Sequence, residues 1–255
     1  RDLWRYRELL FFLAWRDIKV RYKQAVLGIV WTVVQPLVPM VVFTFVFSNL
    51  AHMDGGNVPY PLVVLAGLIP WQLFSSALSG ASGSLISNAN LISKVFFPRL
   101  ITPLSALAVA IVDFGIVLLI YACFACAYHV TPTWRIIFLP GFTAIVLVLA
   151  FGAGLWLSAL TVKYRDFRFI TPFLLQFGIY ATPVGYRTDT LRTWASLLEL
   201  NPLTGIINGF RWCLLAGDSQ LTVASLYSAC IGAVFFLVTG LWYFRKTERQ
   251  FADVI

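Results

Sequence analysis

The stretch IIFLPGFTAIVLVLAFGAGLWLSALTV, Ile136 to Val162, contains no charged residue. As a helix it is more than long enough to cross a bilayer core of about 30 Å, which takes about 20 residues. Five more apolar stretches flank it, separated by polar loops: Trp31 to Leu50, Leu62 to Ile86, Ile101 to Val130, Phe169 to Tyr186 and Ser225 to Phe244. The third, 101–130, is interrupted only by Asp113 and is long enough to tilt or to extend past the lipid. The fifth is shorter and ends near the Thr182-Pro183 pair. Composition agrees, with 60% hydrophobic and 12% charged residues and a mean hydropathy of +0.82. Water-soluble domains carry about twice that charged fraction. The runs are continuously apolar, which excludes the alternating pattern of a membrane barrel. Helices satisfy their own backbone within lipid. The expected fold is an all-α integral membrane protein with six transmembrane helices.

Lys and Arg set the expected orientation. With a cytoplasmic N-terminus, the inner segments hold Arg1, Arg5, Arg7, Arg16, Lys19, Arg21, Lys23, Lys94, Arg99, Lys163, Arg165, Arg168, Arg245, Lys246 and Arg249. The outer segments hold Arg135, Arg187, Arg192 and Arg211. This bias predicts both termini in the cytoplasm. It also accounts for the net charge of +8, so nucleic-acid binding is not needed. The basic N-terminal segment lacks the short apolar core and small-residue cleavage site of a cleavable signal. Cys123, Cys126, Cys213 and Cys230 form no paired metal-type pattern and are expected as small buried apolar residues without disulfides. No internal repeat is apparent, so 1–255 is expected as one membrane domain.

Residues 1–24 are predicted to form an amphipathic interface helix. Trp4, Phe11, Trp15, Ile18 and Tyr22 share one face at helical spacing, and Arg5, Arg16, Lys19 and Lys23 lie opposite, interrupted by Phe12. This suits a topology anchor, a docking surface for a cytoplasmic partner or a seat for anionic lipid heads. The loop SNANLISKVFFPRL, Ser87 to Leu100, has a plausible cap at Asn88 or Asn90 and a stop at Pro98. A short helix over 87–98 would expose Leu91, Val95 and Phe96, which calls for membrane contact or a covering partner. KYRDFR, Lys163 to Arg168, reads as a tight charged turn. Between the fifth and sixth spans, Thr190 to Leu200 and Leu203 to Leu215 are each expected to be helical, split by Asn201-Pro202. Both are too short to cross. They fit re-entrant or gate helices over 190–215, or an outer rim packed on its neighbours.

No GxxxxGK[ST] loop is present, so this chain is not expected to hydrolyse ATP itself. His52 and His129 fall on separate loops, no HExxH occurs, and no bound metal or cofactor is expected. Asp113 is the only carboxylate inside a span and shows no basic partner in the sequence; a structural hydrogen bond, a part in substrate passage and ion coupling are its three readings. Trp71, Phe74, Trp156, Phe177, Tyr180 and Tyr186 are interleaved with Gly67, Ser75, Ser76, Ser79, Gly80, Gly152 and Gly154. Close helix packing and an interfacial belt explain such residues. A conduit does too, because rings stack on the C–H faces of sugars and hydroxyls exchange hydrogen bonds with them.

RDIKVRYKQAVLGIVWTVVQPL (Arg16 to Leu37) resembles a signature of polysaccharide-export ABC transporter permeases, the ABC-2 type membrane subunits that export O-antigen, capsule or teichoic acid. KVFFPRLITPLSAL (Lys94 to Leu107), TVKYRDFRFITPFLLQ (Thr161 to Gln176), TPVGY (Thr182 to Tyr186) and NPLTGIINGFRW (Asn201 to Trp212) are similar to further blocks of that family in the same order. The last two most resemble the O-antigen branch. The resemblance implies a half-transporter in the bacterial inner membrane: a homodimer bound to two separate ABC ATPase subunits that hydrolyse ATP with Mg. Residues 1–24 would then pack beside the ATPase. The 87–98 segment, with Asn88, Leu91, Lys94, Val95 and Phe96, would be the coupling helix. Asn201, Pro202, Phe210, Arg211 and Trp212 would belong to the outer gate. The implied cargo is a glycan on a polyprenyl diphosphate, with Arg16, Lys19, Arg21 and Lys23 as candidates for its phosphates. Two other classes fit the topology. An enzyme acting on polyprenyl-linked sugars would need an acid and metal cluster, and Asp17, Asp166 and Glu248 are scattered. A multidrug permease fits the quoted blocks poorly.

Overall fold

The computed structural model describes residues 2–23, 26–50, 52, 56, 58–164, 166–186, 198–215 and 221–248. Among these residues all regular structure is helical: α1 (Asp2–Arg5), α2 (Arg7–Lys23), α3 (Val26–Phe43), α4 (Tyr60–Ser87), α5 (Ala89–Lys94), α6 (Ile101–Ala127), α7 (Leu139–Lys163), α8 (Phe167–Ala181), α9 (Pro202–Leu214) and α10 (Val223–Thr247). Thr44–Leu50 continues α3 as a π-helical stretch, and Trp134–Phe138 is a 3₁₀ turn leading into α7. Among the described residues five segments are long and apolar enough to cross a membrane: Val30–Ser48, Tyr60–Ser87, Ile101–Ala127, Trp134–Lys163 and Val223–Thr247.

Local chemistry explains where the elements depart from the expected bounds. Helix α6 stops at Ala127 rather than Val130 because His129 adopts the left-handed conformation, φ 56°. The Val130 N–H then closes on the Ala125 carbonyl at 2.9 Å, a helix-ending turn. Helix α8 has 15 residues, about 22 Å against the roughly 30 Å core. It ends at Ala181 because Pro183 disfavours a helical Thr182, which is extended at φ −112°, ψ 147°. Residues 182–186 are therefore an irregular strap instead of the end of a span. Likewise α5 covers 89–94 only, and Val95 is already extended. Residues 190–197 of the first expected outer piece lie outside the described residues.

Helix α4 is the centre of the bundle, with Leu62 through Ile69 almost wholly buried. It packs on α6 and α7, and α7 packs on α10. Small residues make these approaches close: a Cβ on Gly154 would strike Ala81 of α4, and Gly240 lies against the Gly152 backbone. Two apolar clusters mark two ends. At one, Leu13 of α2 meets Leu85, Ile92, Phe97, Ile101, Ala159 and Phe244. At the other, Tyr60, Val184, Leu203, Phe142 and Leu214 belong to the main core. The first is the basic end, where α2, α5 and the close of α10 converge; Arg99 bonds Glu248 there. The second is the strap end, where Tyr60 donates to the Gly185 carbonyl at 2.7 Å.

Helix α2 does not divide into an apolar face for lipid and a basic face for water. Trp4, Phe11, Phe12 and Trp15 stand exposed, with Phe11 stacked on Trp15. Leu13 is buried, and the cations of Arg16 and Arg21 turn into the bundle. The physical reason is that the bundle offers Arg21 the Asp113 carboxylate and Arg16 the amide oxygen of Asn88.

Candidate functional site

Between α2, α3, α4, α6 and α8 lies an open-sided cavity of about 910 Å³. One stripe of α4 supplies most of its polar wall: Gln72, Ser75, Ser76, Ser79, Ser84 and Ser87. Gln72, Ser75, Ser76 and Ser79 are related by steps of three and four, and Ser84 and Ser87 resume that side of the helix farther on. Thr32 and Gln35 of α3, Thr102 and Asp113 of α6, and Gln176 and Tyr180 of α8 complete it. The cavity runs from Asn88 at the basic end of α4 to Leu68 and Trp71 farther along the helix. Beyond Leu68 the strap closes over α4, where a Cβ on Gly67 would strike the Val184 carbonyl.

Two ion pairs line this cavity, Arg16–Asp17 at its basic end and Arg21–Asp113 about half-way along α4 and α6, at the level of Ser76. Arg16 pairs with Asp17 at 2.7 Å and donates to Asn88 Oδ1 at 2.7 Å. Asn88 is buried and donates back to the Ser84 carbonyl at 2.9 Å, so α2 is tied to the end of α4. Arg21 pairs with Asp113 at 2.7 Å. Tyr22 also donates to Asp113, and Ser76 donates to it at 3.2 Å. Asp113 thus does have a basic partner, contrary to the sequence expectation. That partner comes from a helix 91 or more positions away, where no local pattern shows it. Burial, and the Asp113 carboxylate to which it donates, push the Tyr22 hydroxyl up to about 12. Tyr22 therefore keeps its proton and serves as a hydrogen-bond donor to Asp113.

The other singled-out residues divide among several places. Lys19 is exposed, over the Trp15 ring at 5.3 Å, and the Lys23 side chain lies outside the described residues. Trp71 and Tyr180 line the cavity, and Phe74 sits behind Trp71 at a ring distance of 6.0 Å. Phe177 is exposed beside Phe173 at 4.5 Å. Trp156 stacks on Tyr243 at 4.2 Å and donates to Thr239 at 3.1 Å, where it joins α7 to α10. Tyr186 belongs to the strap, 6.0 Å from the Phe47 ring. On α5, Lys94 is exposed and Leu91 is half-buried rather than exposed. Val95 is exposed and Phe96 stands 94% exposed at the basic end.

Helix α9 starts as its sequence requires. Asn201 accepts from the Leu203 N–H at 3.0 Å, and Pro202 takes the first turn. It is then buried on nearly every side, against α4, α7 and α10. Phe210 meets Phe114 and Phe142 edge-on or tilted, at 6.2 and 6.5 Å. Arg211 is 2% exposed and donates to the carbonyls of Val184 at 2.8 Å, Tyr186 at 2.9 Å and Val63 at 3.4 Å. It therefore clamps the strap to α4. Trp212 joins Trp134 and Phe138 under the Arg135 guanidinium, 4.9 Å from its ring. Sequence reasoning missed the serine stripe of α4 as a unit, although its spacing was present to be read. It also missed Arg21 to Asp113, for which no sequence signal exists.

Among the described residues no three His, Cys, Asp or Glu side chains gather as a metal site. Fold and site together define a multi-pass helical membrane protein built around a hydroxyl-lined internal cavity. The chain belongs to the ABC-2 type transporter family, which it matches over residues 8–215. It is 30% identical over 259 residues to the O-antigen export system permease protein RfbA of Myxococcus xanthus, covering 100% of this chain and 98% of that protein. It is 27% identical over 250 residues to the Klebsiella pneumoniae protein of the same name, covering 97% and 95%. Polysialic acid transport protein KpsM of Escherichia coli is 22% identical over 245 residues, covering 92% and 91%.

Proposed function

We propose that this chain is the membrane half-subunit of an ATP-driven exporter that moves a lipid-linked polysaccharide of O-antigen type across the bacterial cytoplasmic membrane. The observation that carries the reading is the hydroxyl-lined cavity, in a chain that shares nearly its full length with O-antigen export permeases. Serine, threonine and glutamine side chains exchange hydrogen bonds with sugar hydroxyls at little cost in selectivity, while Trp71 and Tyr180 offer stacking faces. A capsule-type cargo is the second reading, favoured by the likeness to the polysialic acid transport protein. Teichoic acid export follows it, and an enzyme acting on polyprenyl-linked sugars is the reading from another class.

The working unit is a homodimer with two ABC ATPase subunits, which bind and hydrolyse ATP with Mg. The cavity is open on one side, and the flanking helices α3 and α8 carry exposed apolar faces that suit a second copy. The basic end faces the cytoplasm with both termini, in line with the positive-inside bias. There are six crossings. The sixth is α8 extended by the 182–186 strap, since α8 alone is shorter than the core: α8 leaves the end of α7 at the basic end and the strap reaches Tyr60 at the other. Phe96 and Val95 beside α5 are the coupling surface for the ATPase. Helix α9 with Arg211 and Trp212 forms the outer gate together with the strap. Arg16 at the cavity's basic end and Arg21 farther along it receive the lipid diphosphate, with Lys19 and Lys23 as the remaining candidates. ATP drives the cycle only if its bound form favours one of the two conformations.

The test is reconstitution of the complex with its ATPase in lipid bilayers. Polyprenyl-diphosphate glycan should raise the ATPase rate and be translocated, and mass spectrometry should find it in the purified complex. Stimulation by small hydrophobic drugs alone would overturn the reading, as would turnover of the glycan without the ATPase.

A further inference from the structure

The cavity holds its own anions. Its two arginines each carry a carboxylate, Arg16 on Asp17 and Arg21 on Asp113, both at 2.7 Å. The two pairs differ in kind. Asp17 is Arg16's chain neighbour, and both side chains are part-exposed, at 26% and 40%. Such a pair forms and breaks cheaply. Asp113 is a span carboxylate at 12% side-chain exposure, held from three directions by Arg21, Tyr22 and Ser76. Its partner Arg21 is 41% exposed and lines the cavity. One face of that guanidinium is therefore bound and the rest is open to whatever enters.

We infer that Asp113 is a built-in competitor for the phosphate seat, so that Arg21 is released only to a ligand whose charge exceeds that of one carboxylate. This rests on the proposed role of Arg21 in receiving the lipid diphosphate. A neutral glycan offers Arg21 nothing in exchange for the ion pair. A monoanion offers an even exchange, less the desolvation of Asp113. A diphosphate carries more charge and more acceptor oxygens, and an arginine fork can bind two of them at once. Asp113 thereby sets a threshold that an anion must exceed to hold Arg21, lowering the affinity of every ligand that displaces it by the same factor. Tyr22 and Ser76 keep their hydrogen bonds to Asp113 in that exchange, so the carboxylate stays anchored when Arg21 leaves it. Asp113 acts as a competitor for Arg21 and not as a passive packing contact.

The experiment compares the intact complex with its ATPase, in nanodiscs without nucleotide, for binding of farnesyl diphosphate and farnesyl monophosphate. Asp113→Asn keeps the side-chain shape and an acceptor for Tyr22 while removing the competing charge. It should bind farnesyl diphosphate about tenfold more tightly, equivalent to about 1.4 kcal/mol, and farnesyl monophosphate by a similar factor, because one internal competitor weakens both anions alike. Asp17→Asn should change both by less than about twofold, as suits an exposed pair. In an Arg21→Gln background the gain from Asp113→Asn should vanish, because nothing remains to compete for. Unchanged or weaker binding by Asp113→Asn, with Arg21→Gln still weaker than the unmodified chain, overturns the competitor and leaves the entrance standing. A gain that persists without Arg21 also overturns it, as a general field effect. Absence of binding by every form overturns the competitor and the entrance together.

Discussion

Arg211 brings a permanent charge into the packed interface of α9, at 2% exposure. Carbonyls of the strap and of α4 surround its guanidinium. Removing it strands acceptors that water cannot reach, at about 1–3 kcal/mol for each group left unmade. Arg211→Ala should therefore lower the melting temperature of the detergent-solubilised complex, by about 3 kcal/mol of stability. Arg211→Lys should recover only part of it, since one ammonium cannot span carbonyls that a fork reaches separately. Asn201→Ala removes a single cap and should cost about 1 kcal/mol by the same measurement. The cap was legible in the sequence because Asn-Pro acts on the next two residues. The clamp was not: Arg211 looks like an outer-loop cation until the strap residues, 25 and 27 positions away, are folded onto it.

At the level of elements, the loop between α4 and α6 shows a division of labour. Ile92 and Phe97 are buried, Asn88 is locked to Arg16, and Phe96 is 94% exposed beside them. A rigid base thus presents one large apolar side chain. Phe96→Asp should leave the stability of the isolated chain within about 0.5 kcal/mol, as surface substitutions do, yet abolish co-purification with the ATPase. Retained co-purification would remove Phe96 from the coupling surface. The existence of a short helix here was readable from the caps and the proline stop, and its exposed Val95 and Phe96 from their apolar character. The burial of Leu91's neighbours was not readable, since α2 and α10 supply the covering atoms. The same holds for α2 itself: periodicity separates its aromatic and basic residues, but only the position of Asp113 explains why a cation turns inward.

For the molecule as a whole, the cavity is the feature against which transport is measured. Ser79 lies on the α4 stripe that lines it, on a residue whose side is exposed to the open space. Ser79→Trp should fill the passage, leaving ATPase binding intact while lowering glycan translocation at least about tenfold, by obstructing a path. Orientation is checked separately by labelling with a membrane-impermeant maleimide. A cysteine at Thr133 should react from outside, and one at Lys246 only after permeabilisation. The six apolar runs, the basic asymmetry and the family blocks were determined by the sequence alone, because hydropathy and charge act through lipid and water, which any residue meets without help from its neighbours. The tertiary structure alone decided which carboxylate answers Arg21, which face of α4 opens into the cavity and what holds the strap. Those outcomes depend on side chains brought together from distant positions, and an ion pair or a buried hydrogen bond is worth its energy only where both partners have already lost their water.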